Sequence, residues 1–206
     1  MTTPIHRPSL RYLTACEPAI LRSVVLPRLK GMRVSPEVDS VFDCRHDTLP
    51  ALLSLIQLSK CSLTSLTLNH AVFTDVLFNV LDLTPTVESL HLSVQHWRSH
   101  YNPIFKTLID RLAACSNEGS PTFDFLPLIR EFKIGIHDSR MEERPCRFID
   151  HSFFDMVSLR WKSKTLKAHI DQLREFKNDG LDIHLAVERY SPGLYCYDEV
   201  TVERFV

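Results

Sequence analysis

The stretch LTSLTLNHAVFTDVLFNVLDLTPTVESLHL, residues 63–92, decides the reading of the fold. It opens on Leu63, Leu66 and Leu68 and closes on Val87, Leu90 and Leu92, so one spacing, apolar-x-x-apolar-x-apolar, occurs twice. The last two apolar residues of each triplet alternate, as a half-buried strand requires, and the first anchors the turn that enters it. Between the triplets, Leu77, Val80 and Leu81 fall at helical spacing behind Thr74 and Asp75, which predict an N-cap.

The same spacing recurs on both sides. Residues 26–34 read LPRLKGMRV, 60–68 KCSLTSLTL, 84–92 TPTVESLHL and 126–134 LPLIREFKI, with apolar residues at positions four, seven and nine of each window and proline at position two of three. Leu10, Leu13 and Ala15 make a weaker fifth copy. Thr48 is expected to cap a helix carrying Leu49, Leu52, Leu53 and Ile56, and a third helix is expected at roughly 104–115. Residues 95–103 read as a polar insert in which Asn102-Pro103 favours a loop, and the charged run at 137–147 reads as a solvated loop. Units of this kind cannot bury their leucines alone and must stack. The expected architecture is therefore α/β, a leucine-rich-repeat-like solenoid of short parallel strands alternating with helices in a curved open sheet, with 1–206 as a single domain. A compact α/β domain with ordinary buried strands is the alternative.

Composition agrees with a stacked leucine ladder. There are 28 leucines but only 5 glycines, where average usage would give about 14. Gly31, Gly119, Gly135, Gly180 and Gly193 are too scattered for a phosphate-cradling loop or a dinucleotide fingerprint. With 24 basic against 25 acidic residues the net charge is -1, so no global pull toward nucleic acid or an anionic membrane is expected. No apolar run is long enough to be an export signal or a membrane span. Six widely spaced cysteines read as reduced core thiols of an intracellular protein, in cytoplasm or nucleus.

Catalytic patterns are sparse. His96 and His100 share a helix face at metal-binding spacing, but Trp97 stands where a zincin carries glutamate, and Cys44 with His46 lacks a paired second half. Glu142-Glu143 and Asp198-Glu199 read as solvated faces, and Trp161 with Phe154 as core. No catalytic residue, metal or cofactor is assigned. A small metal-dependent hydrolase on a compact α/β domain would require His96, His100, Cys44 and His46 to converge, and a degenerate fragment without activity is the other alternative. The repeat register offers a better lead, because residues alternating with buried leucines share the opposite sheet face. Arg33, Thr67, His91 and Lys133 occupy position eight of the four windows; Ser35, Asn69, Ser93 and Gly135 follow at position ten. They are expected to form two parallel rows about 4.8 Å apart from strand to strand, a polar and mildly basic strip for a protein target.

The repeats of 63–92, with FFDMVSLRW at 153–161 and FKNDGLDIHL at 176–185, resemble the leucine-rich-repeat regions of fungal F-box-type proteins. The resemblance covers most of the chain. It implies a non-catalytic target-recognition arc of a cullin-type ubiquitin ligase, whose adaptor would be recruited by a separate three-helix F-box. LPALLSLIQLSK at 49–60 is similar to an F-box opening but reads as a repeat helix, because strand-like SLTSLTL follows at once. With the first repeat at Leu10 and the apolar ending Phe205-Val206, the chain is expected to be a fragment lacking an N-terminal F-box and terminal caps. A ligase adaptor is then a partner only if an F-box lies upstream.

Overall fold

Three of the four windows begin with one turn. The position-four amide donates to the position-one carbonyl in Leu29 to Leu26 at 3.1 Å, Val87 to Thr84 at 3.2 Å and Ile129 to Leu126 at 3.2 Å. Pro27, Pro85 and Pro127 fill the second turn position, where a ring-locked φ near −65° is already the required angle. The window without proline starts differently. Lys60, left-handed at φ 48°, closes the preceding helix by donating to the Ile56 carbonyl at 2.9 Å.

The computed structural model describes residues 4–36, 44–115, 123–137, 147–148, 151–153, 155–156, 182–189 and 198–200. In chain order the elements are β1 (Ile5–His6), β2 (Tyr12–Thr14), α1 (Pro18–Ser23), β3 (Val24–Val25), β4 (Gly31–Val34) and α2 (Thr48–Ser59). They continue as β5 (Ser65–Asn69), α3 (Val76–Asp82), β6 (Ser89–Val94), α4 (Tyr101–Ala113), β7 (Glu131–His137), β8 (Asp182–Arg189) and β9 (Asp198–Val200). The chain is α/β. A seven-stranded sheet runs in the order β2-β4-β5-β6-β7-β8-β9, parallel throughout except for β9, which pairs antiparallel with β8. A separate parallel pair joins β1 to β3.

The windows stack in register. Leu13, Met32, Leu66, Leu90 and Phe132 pair across successive strands, and two residues on so do Val34, Leu68, Leu92 and Ile134. From Met32 and Val34 onward these residues are buried, and the position-four anchors Leu29, Leu63, Val87 and Ile129 are buried with them. A second repeat lies in the backbone. The position-five carbonyl of each window accepts the position-five and position-six amides of the next: Lys30 takes Thr64 and Ser65, Thr64 takes Glu88 and Ser89, and Glu88 takes Arg130 and Glu131, at 2.7–3.1 Å. Arg11 does the same for Lys30 and Gly31, so the weak copy at Leu10 is a true member of the stack.

Helices cover the leucine face. α2 buries Leu49, Leu52, Leu55 and Ile56, with Leu53 only partly covered, and α3 buries Leu77, Val80 and Leu81. Thr48 does not cap α2. It is the first helical residue, and its hydroxyl donates to the Cys16 carbonyl at 3.1 Å, tying the helix to the preceding copy. Thr74 meets its expectation in part, accepting a long 3.4 Å hydrogen bond from the Val76 amide ahead of α3.

The insert at 95–103 is a polar loop only in part: 95–100 are irregular, with His96, Arg98, Ser99 and His100 exposed. Trp97 is fully buried, with its ring 5.4–5.9 Å from those of Tyr101, Phe105 and Phe148. Asn102 and Pro103 belong to the first turn of α4, which begins at Tyr101 rather than near 104. Proline is at home there, since a first-turn amide has no intrahelical partner to lose. Cys16, Cys61 and Cys115 are free thiols, and the buried Cys44 thiol donates to the Asn69 carbonyl. Cys146, Cys196 and residues 138–146 lie outside the described residues, as do Trp161, Phe154 and most of 153–161 and 176–185.

Candidate functional site

The sheet face opposite the leucines carries three rows, because side chains alternate along each strand. Pairing places Arg33, Thr67, His91 and Lys133 in one row, as the register predicts. Asn69, Ser93 and Gly135 pair in a second. Ser35 lies one residue beyond Val34, where the β4–β5 pairing stops. Arg33 is exposed and Thr67 is only 8% exposed, while the other six strip residues are half-buried. Thr67 is thus part of the floor rather than of an accessible surface.

A third row, Gly31, Ser65, Ser89 and Glu131 at position six, was missing from the sequence reading. The same alternation that selects positions eight and ten selects position six. This row decides the electrostatics. Glu131 accepts from the Ser89 hydroxyl at 2.5 Å and from Lys133 Nζ at 2.5 Å, and its Oε2 lies 3.2 Å from His91 Nε2. Partial burial pushes the Glu131 carboxyl up, but the bonds from Lys133 and Ser89, with His91 beside them, hold it down to about 2. The strip is therefore not basic at both ends. Lys133 is neutralised by Glu131, whereas the Arg33 guanidinium has no hydrogen-bond or ion-pair partner among the described residues.

Ser89, His91 and Glu131 together suggest nucleophilic chemistry, but their geometry is wrong for it. A relay needs the serine on one ring nitrogen and the carboxylate on the other. Here both approach His91 Nε2, at 3.4 and 3.2 Å, and the serine proton goes to the carboxylate. The arrangement fixes side chains on a sheet surface.

The metal-binding candidates do not converge. His96 and His100 are exposed, His100 with its ring against Tyr101 at 4.4 Å, whereas Cys44 is buried. Among the described residues no group of three or more His, Cys, Asp or Glu side chains is placed to hold a metal. Burial and the Arg98 charge push His100 below the ordinary histidine range, which reflects its packing. Glu142 and Glu143 lie outside the described residues, and Asp198 and Glu199 are described only as backbone of β9.

No protein-family model, curated protein or solved structure matches this chain. Among the described residues no helix is long and apolar enough to cross a membrane.

Proposed function

We propose that the chain is a non-catalytic protein–protein interaction module, a leucine-rich-repeat-like solenoid with a curved open sheet that presents its polar strip to a protein target. The observation that carries this reading is the register: residues at equal positions of successive windows are paired neighbours across four strands. Stacked repeats turn one polar position per unit into a continuous surface, and such surfaces commonly bind proteins. By its resemblance to fungal F-box-type proteins, the module is the target-recognition part of a cullin-type ubiquitin ligase, intracellular, and a ligase adaptor is a partner only if an F-box lies upstream.

The test places bulky charge where the strip is accessible and lined by small residues. Asn69→Arg with Ser93→Arg should reduce partner capture by the chain at least about tenfold, a loss of roughly 1.4 kcal/mol. Circular dichroism should be unchanged, since neither side chain is in the core. Quantitative mass spectrometry of the captured proteins reads both the target and any ligase adaptor. Undiminished capture by the double variant would overturn the strip.

A further inference from the structure

The N-terminal end of the sheet differs from the rest. β2 is its edge strand. The Arg11 carbonyl and the Ala15 amide both bond to β4, through the Gly31 amide and the Arg33 carbonyl at 3.0 Å each. In a parallel ladder alternate residues face the same neighbour, so Tyr12 and Thr14 turn their N–H and C=O groups away from β4. Tyr12 and Thr14 are exposed, and no described residue bonds to their backbone on that side. Such an edge is a template for another strand unless something covers it.

Charge is gathered at the same end. Residues 4–36 hold six Lys and Arg and a single acid, Glu17, in a chain that is otherwise net acidic. Among the described residues Arg7, Arg11, Arg28 and Arg33 have no hydrogen-bond or ion-pair partner for their guanidinium groups. Elsewhere Arg111 pairs with Asp82 and Arg130 with Glu88, whereas Lys60 and Arg147 are bare singly among the described residues. Large apolar side chains are exposed there too: Tyr12 at 72%, Ile5 at 50%, Ile20 at 47% and Leu10 at 37%.

We infer that the free edge of β2, with the bare Arg11 and Arg33 and the exposed Leu10 and Tyr12 beside it, docks an acidic, extended segment of a partner protein as an added strand. The three residues of β2 offer only a few main-chain hydrogen bonds, so carboxylates on the arginines and apolar residues against Leu10 and Tyr12 supply selectivity. A single-stranded nucleic acid would use the arginines and the Tyr12 ring. It would leave the strand edge and the aliphatic groups idle, which favours the peptide. The inference rests on the reading of the chain as a protein-recognition module but places the contact at β2, away from Asn69 and Ser93.

The test is a selection of short random peptides on the full chain, followed by fluorescence anisotropy of the selected peptides. The expected winners alternate Asp or Glu with apolar residues. Thr14→Pro deletes an outward amide and is tolerated on an edge strand, so it should weaken binding at least about tenfold with unchanged circular dichroism. Arg11→Glu should do the same, and Asn69→Arg with Ser93→Arg should leave these peptides bound. Peptides that survive Thr14→Pro but are lost in the Asn69/Ser93 variant would overturn the edge site and leave the strip reading standing. Failure to select any peptide, winners without acidic bias, or a short oligouridine that outcompetes the peptides and still binds Thr14→Pro would each overturn the inference.

Discussion

Arg33 and Lys133 hold the same position at two ends of one row, yet Lys133 is bound to a carboxylate and Arg33 is bare. The difference comes from position six. Beside Lys133 that position is Glu131, and beside Arg33 it is Gly31, over which the Tyr12 ring lies. Equal register therefore gives equal direction but not equal availability. At the β7 end the polar face is satisfied from within, by Ser89, His91 and Lys133 around one carboxylate. At the β4 end Arg33 has no such partner among the described residues.

Both ends ride on the same leucine ladder, and removing a rung is the hardest way to break the comparison. Leu90 is fully buried between Leu66 and Phe132. Leu90→Ala should lose about 2–5 kcal/mol, because a cavity in a close-packed sheet core seldom collapses fully. Chemical denaturation reads this directly, and an unchanged midpoint would mean that the register is wrong.

Glu131→Gln tests the β7 end with a smaller effect. Losing the ion pair with Lys133 while keeping a hydrogen-bond acceptor should cost about 1–2 kcal/mol, discounted for a side chain that is 30% exposed. Arg33→Ala, which removes no internal partner, should stay within about 0.5 kcal/mol. The pH dependence has a definite sign. Glu131 is lowered from 4.5 to about 2 on folding, so its contribution is fully present above pH 4.5 and fades as pH falls toward 2. The stability gap between wild type and Glu131→Gln should therefore be constant from pH 7 to about 5 and narrow steadily as pH falls from 4.5 toward 2. A gap undiminished at pH 2.5 would remove Glu131 as the organiser of that end.

The leucine ladder was legible because strand alternation and the entry turn both leave marks in sequence: Leu66 and Leu68 two apart, Pro85 and Pro127 at fixed offsets. The rows at positions eight and ten followed from the same period. What each row member does was not legible. The quenching of Lys133 depends on Glu131, two residues away on the same face, and on Ser89, 42 residues earlier and one strand over. Only the stacking brings these three together. Trp97 misled for another reason. Asn102-Pro103 nearby suggested a loop, but the Trp97 ring meets Phe148, and a contact 51 residues away leaves no periodic trace. Thr48 shows that a capping residue at a helix start can serve a neighbouring unit, here the Cys16 carbonyl, instead of its own helix.

A further small effect probes whether the open end is soft. A Cβ added at Gly31 would lie 2.6 Å from Tyr12 Cδ1 and 3.0 Å from Cε1. Gly31 is buried in a strand paired on both sides, so the backbone cannot yield, but the Tyr12 ring is 72% exposed and can swing outward. Gly31→Ala also reduces the freedom of the unfolded chain, which favours folding by about 0.4–1 kcal/mol. The two effects oppose, and the net change should stay within about 1 kcal/mol, with the displacement visible in the Tyr12 ring resonances. A loss above about 2 kcal/mol would exceed what a mobile surface ring can cause. It would mean that Tyr12 is clamped over Gly31 as firmly as Lys133 is held by Glu131, and the two ends would then differ in charge alone.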